Sequence, residues 1–120
     1  VLWKEYHTEV GKIMTSELLG LRLLNKVTVD NQDPKNPAYK KYFMHGTSHH
    51  LGLNTHDYGL LEEPMQANMV FTVEPGIYIP EEGFGIRLED DVVIQETGEP
   101  INLMGNIPME ADHIEELMSK

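Results

Sequence analysis

The hydrophobic period of this chain changes once, near Met44, and that change limits the folds open to it. Before Met44, Tyr6, Val10, Ile13, Met14 and Leu18 recur at steps of three and four, with Lys4, Glu5, Glu9, Lys12 and Glu17 mostly opposite. That spacing predicts an amphipathic helix. After it, Met69, Phe71 and Val73 alternate with Val70, Thr72 and Glu74, and Ile86, Leu88, Val92 and Ile94 share alternate positions with Asp90. Both runs are rich in β-branched residues and predict strands. Helices first and antiparallel strands afterwards make the class α+β.

Local signals set the expected boundaries. Gly20 is expected to end the first helix, because glycine accepts the left-handed conformation found just past a helix, with Leu21 folding back on the last turn. Residues 25–36 are rich in Asn, Asp and Pro and predict a connecting loop. Asn36 and Pro37 suit the N-cap and first position of a short helix running to about Phe43. Glu96-Thr97-Gly98-Glu99 predicts a tight turn. A closing helix is expected over Pro108 to Met118, with Asp112 and Glu115 at capping-box spacing.

Composition narrows the function classes. A length of 120 residues with 40% hydrophobic content suits one domain. The longest apolar stretches, Leu18 to Leu24 and Val70 to Val73, fall far short of the roughly 20 residues a bilayer span needs. A formal charge of −11 opposes nucleic-acid backbones and favours bound cations. The absence of cysteine leaves neither a disulfide framework nor a thiolate metal site, which fits a cytoplasmic setting. The sequence opens on Val1 with helical periodicity already under way, so it is expected to be a piece of a longer protein.

Four of the six histidines fall within twelve positions, in the stretch HGTSHHLGLNTHDYG. His45 and His49 are four apart, which puts them on one face of a helix or of a strand. The helical zinc-protease pattern needs Glu after the first His, and Gly46, Thr47 and Ser48 disfavour a helix here. An extended reading turns His45, Thr47 and His49 one way and Gly46, Ser48 and His50 the other. A His-rich surface loop would show the same letters. Two carboxylates weigh against it. Glu74 lies in an apolar strand, and Pro75 behind it biases its backbone to the extended region. Glu89 shares alternate positions with Arg87 and Asp91. One imidazole and two carboxylates on neighbouring strands form an oxygen-rich site for divalent ions, suited to Mn²⁺, with Co²⁺, Fe²⁺ or Zn²⁺ as alternatives. Uncoordinated imidazoles at His45 and His56 would serve as proton carriers or donors around an attacked amide. His50 reads as a packing or solvent-facing residue, and His7 and His113 as helix residues without a role.

HGTSHHLGLNTHD, MVFTVEPGIYI and GIRLEDDVVI, in this order and spacing, resemble the C-terminal half of the catalytic domain of Xaa-Pro aminopeptidases. These are dinuclear metallopeptidases of the pita-bread fold, shared with prolidase, methionine aminopeptidase and creatinase. The resemblance implies that residues 1–120 form the C-terminal part of such a domain, helices packed on a curved antiparallel sheet. It implies metal ligands at His49, Glu74 and Glu89, the last bridging two ions. Glu74 would also manage the proton of the attacking water, His45 and His56 would line the substrate pocket, and Arg87 would orient carboxylates or substrate. The implied reaction hydrolyses the bond between an N-terminal residue and a following proline, by water activated between two divalent ions. Ser48 in HGTSH favours this group over prolidase, where glycine is usual; His50 departs from the aromatic residue of many relatives.

The two aspartate ligands of that family match no stretch here, since Asp30 and Asp33 lie in a polar loop. Two divalent ions bring four positive charges, against two negative ones from Glu74 and Glu89, and a low-dielectric site does not tolerate that excess. The chain is therefore expected to hold half an active site, to be inactive alone, and to need the preceding half of the same protein. The apolar faces left uncovered would favour homo-oligomers. The competing reading is a peptide-binding pseudo-enzyme of the same fold, which would have no need of a full ligand set.

Overall fold

The computed structural model describes residues 1–119. The first helix, α1 (Trp3–Gly20), buries Met14 and Leu18 on its inner face, as the spacing predicts. At its start Glu5 reaches back and accepts the Leu2 N–H at 3.1 Å. Its end differs from expectation. Gly20 stays helical, and the left-handed residue is Arg22 at φ 59°. Arg22 N–H bonds to the Leu19 carbonyl and Leu23 N–H to that of Leu18, the Schellman pattern. Leu21 is 59% exposed, and Leu24 takes the inward place instead. Burial of Leu24 fixes the reversal, and the glycine does not.

The expected loop over residues 25–36 contains one helical turn, α2 (Lys26–Asp30), whose N-cap Asn25 accepts the Thr28 N–H at 2.8 Å. The next element is a 3-10 turn over Ala38–Lys41, with Pro37 itself in the capping position. The Ala38 N–H that Asn36 was expected to serve goes to the Gln32 side chain at 2.9 Å. This turn delivers Tyr39, Tyr42 and Phe43 to a core that they share with Met14, Leu18 and Leu24.

Among the described residues five short strands follow. β1 (Val70–Val73) pairs antiparallel with β4 (Asp90–Val93), which pairs with β5 (Ile101–Asn102). β2 (Gly76–Ile79) and β3 (Phe84–Arg87) form a separate hairpin whose Ile77 and Ile79 pack on the core. The run expected from Ile86 to Ile94 is therefore two strands. The register explains the break: Val73 faces Asp90 and Gly76 faces Arg87. The same register carried across the gap sets Glu74 opposite Glu89 and Pro75 opposite Leu88. Pro75 has no N–H to give the ladder, so pairing lapses at the level of the two acids.

The other edge of β1 is taken by residues 47–51. Glu74 N–H bonds to the Thr47 carbonyl, Thr72 N–H to that of His49, and Leu51 N–H to that of Val70. Gly98 adopts φ 84° within the expected turn before β5. The last helix, α3 (Ala111–Met118), starts three residues later than expected. Asp112 lies inside its first turn, so no capping box forms there, and none of its residues is buried. Among the described residues no helix is long and apolar enough to cross a membrane.

Candidate metal centre

Thr72 in β1 and Glu74, which lies just past the end of that strand rather than within it, project from the same side, and His49 meets them from the adjoining extended segment. One ligand atom from each of His49, Glu74 and Glu89 falls within 4.8 Å of the others. Glu74 is 8% exposed, an expensive place for a carboxylate unless it is bonded. Its partners are three. Thr72 Oγ1 donates to Oε1 at 3.0 Å, His49 Nε2 lies 3.2 Å from Oε1, and Arg87 Nη1 lies 3.4 Å from Oε2. Arg87 Nη2 also approaches Glu89 Oε2 at 3.8 Å, so one guanidinium faces both acids.

The tautomer of His49 follows from its second contact. Nδ1 lies 2.9 Å from the His50 carbonyl oxygen, which only accepts, so Nδ1 carries the proton. In the neutral ring Nε2 then presents its lone pair to the Glu74 carboxylate. Two acceptors face each other at that distance only with a proton or a cation to share. Nitrogen and oxygen donors so arranged, without thiolate, fit a borderline or hard divalent ion, and the fixed Nδ1–H is the usual support of a metal-binding imidazole.

The neighbouring histidines divide as follows. His45 Nδ1 is 2.8 Å from the Gly46 carbonyl, which fixes the same tautomer, and its buried Nε2 has no partner among the described residues. Its ring is held edge-on between Phe43 and Tyr78, at 5.0 and 5.5 Å between centroids. His56, exposed on the 51–59 loop, tilts over His49 at 4.2 Å. His45, His49, His56, Glu74 and Arg87, with Gly46 and Ser48, line one cleft of about 310 Å³. That loop is shaped by Asp57. The Tyr58 N–H and the Asn54 amide hold its carboxylate below the usual range.

His50 packs on Phe71 at 4.3 Å, the first of the two places open to it from the sequence, and a Cβ at Gly59 would lie 1.9 Å from its ring. The strict alternation expected over residues 45–50 fails at Thr47. Its side chain turns away from the cleft to His7, whose Nδ1 lies 2.9 Å from Thr47 Oγ1. His7 thus has a partner beside the site, which helical periodicity alone had no means to show. Thr72 was also missed as a site residue. The signal for it was a hydroxyl two positions before Glu74 in an otherwise apolar strand.

The model of metallopeptidase family M24 matches residues 1–96. The Xaa-Pro aminopeptidase of Escherichia coli strain K12 is 44% identical over 122 residues, which is 92% of this chain and 27% of that protein. Its counterpart in Haemophilus influenzae is 39% identical, over 97% of this chain and 29% of the relative. Among solved structures, E. coli aminopeptidase P with the inhibitor Pro-Leu superposes at TM-score 0.78 and 39% identity, over 98% of this chain and 29% of that one. The zinc-substituted form of that enzyme, in complex with product, superposes equally well. The chain spans less than a third of the length of these relatives, and its α+β fold is that of the matching part of aminopeptidase P. With four-fifths of its length matched by the family model and the converging donors inside the matched region, the chain belongs to metallopeptidase family M24.

Proposed function

We propose that this chain supplies one half of the dinuclear centre of an Xaa-Pro aminopeptidase, residues 1–120 being the C-terminal part of its catalytic domain. The observation that carries this reading is the convergence of His49, Glu74 and Glu89 within 4.8 Å. His49 Nε2 and the two carboxylates would hold divalent ions, Mn²⁺ first among them. Such ions, when bound, supply Lewis acidity and bring the pKa of water towards neutrality.

The chain's own groups account for the rest. Arg87 faces and aims both acids, and Thr72 fixes the Glu74 carboxylate, leaving it to take up a proton from an attacking nucleophile. His45 and His56 line the pocket for a peptide with proline in second place. With Nδ1 committed to Gly46, a neutral His45 accepts at Nε2, and it donates there only when doubly protonated. Two acids cannot balance two divalent ions, so the remaining anionic ligands come from the rest of the full-length protein. We place that protein in the cytoplasm and expect it to self-associate.

The test compares the full-length protein with the 120-residue chain, both loaded with Mn²⁺. The full-length protein is expected to release the first residue from an Xaa-Pro peptide and to spare an Xaa-Ala control, while the chain alone shows no turnover. Two tight Mn²⁺ sites on the chain alone, measured by calorimetry, would contradict the half-site reading. Full-length protein that prefers Xaa-Ala would contradict the substrate.

A further inference from the structure

We infer that His7 and Trp3 of α1 are positioning residues for the metal ligands, acting through Thr47 and Ser48; this rests on the metal reading of His49, Glu74 and Glu89. The two rings are one helical turn apart on the same face and stack at 5.0 Å between centroids with planes 10° apart. Together they grip the segment that carries His49. Trp3 Nε1 donates to the Ser48 carbonyl at 3.0 Å, and His7 Nδ1 bonds to Thr47 Oγ1 at 2.9 Å. A Cβ at Gly46 would lie 3.2 Å from Trp3 Cζ2, so the indole rests against the bare backbone there.

The grip reaches both first ligands. Ser48 is bonded covalently to His49. Thr47, 1% exposed, accepts the Glu74 N–H on its carbonyl at 2.8 Å while its hydroxyl is held by His7. His7 is thus two bonds of structure from Glu74: imidazole to Thr47 side chain, then Thr47 carbonyl to the Glu74 amide. Neither aromatic residue lines the cleft, so their role is one of support. Their part is to fix, from α1, the Thr47 side chain and the Ser48 carbonyl of a segment whose backbone β1 already pairs.

The test uses the full-length protein and reads metal, not only turnover. His7→Phe keeps a ring on Trp3 and deletes the bond to Thr47; Thr47→Val deletes the same bond from the other side at equal size. Each is expected to weaken Mn²⁺ binding by calorimetry about tenfold, the lower end for groups behind the ligands. Each should also shift the visible spectrum of bound Co²⁺, and the double variant should be no weaker than either single one. His7→Asn, whose amide reaches near the position of Nδ1, should restore affinity and spectrum. Unchanged affinity and spectrum in both single variants would overturn the inference. So would additive losses, or losses that follow the urea midpoint of the metal-free protein. If His49→Ala binds Mn²⁺ as the parent does, the metal reading itself has failed, and the clamp falls with it.

Discussion

Two regions of this chain handle burial in opposite ways. Around the site the most enclosed residues include polar ones: Thr47 and Thr72 are each 1% exposed and Glu74 is 8%. Past residue 100 the apolar residues lie outside: Ile101 is 50% exposed, Leu103 and Ile107 55%, and Leu117 47%. In the first region each buried oxygen just named has a partner in hydrogen-bonding reach, so enclosure costs little and orientation is gained. In the second, an amphipathic helix and a two-residue strand have no surface within residues 1–119 to cover them. The family match ends at residue 96, close to where the behaviour changes. Hydrogen-bonded enclosure is concentrated around the converging donors His49, Glu74 and Glu89.

The largest effect expected from this contrast is at Phe43. It is fully buried, and its ring meets Tyr39, His7 and His45 at 6.0, 6.1 and 5.0 Å between centroids. Phe43→Ala should cost about 3–5 kcal/mol in urea unfolding. A loss under about 1 kcal/mol would mean that the site stands on something other than this core. Next comes Thr72→Val, similar in shape but without the hydroxyl. It strands the His49 N–H, which Thr72 Oγ1 accepts at 3.1 Å, and removes the donor to Glu74. About 1–3 kcal/mol should be lost. A neutral outcome would show that the threonine is packing alone.

A smaller effect concerns pH. Burial, then the nearby charges of Lys40 and His45, hold the His7 pKa below its ordinary 6.5. On acidification the unfolded chain therefore takes up this proton before the folded one. His7's contribution to stability is complete above pH 6.5, declines as pH falls from there to the folded pKa, and levels off below it. The difference in unfolding free energy between parent and His7→Phe should slope across that window. A flat difference would show that His7 is not enclosed as the structure has it.

Much of the site was legible in the sequence because it is written in local order. Three motifs put His49, Glu74 and Glu89 on named segments, and the register set by the β-pairs makes the two acids neighbours. What escaped depends on contacts distant in sequence. His7 looked idle because its partner, Thr47, is 40 residues away. The run from Ile86 to Ile94 looked like one strand because period two continues across the corner, while the break comes from Pro75 on the opposing strand. The end of α1 was misplaced by two residues because Leu24 competes for the core, and a glycine signal does not register that pull. Thr47 broke the alternation because a bond to α1 outweighed the pleat.

The smallest effect should come from α3, where the contrast is most easily broken. Leu117→Ala removes a side chain that is 47% exposed from a helix with no buried residue. Within the 120-residue chain it should change stability by less than about 0.5 kcal/mol, as substitutions away from packed features do. Run in the full-length protein, the same substitution asks a different question. A cost of about 2 kcal/mol or more there, the scale of a leucine lost from a core, would mean that chain outside these residues covers α3. The exposed apolar residues after 100 would then be half of an internal seam. The same cost already in the 120-residue chain would mean that α3 packs on its own domain, and the division between an enclosed site and an uncovered end would fall.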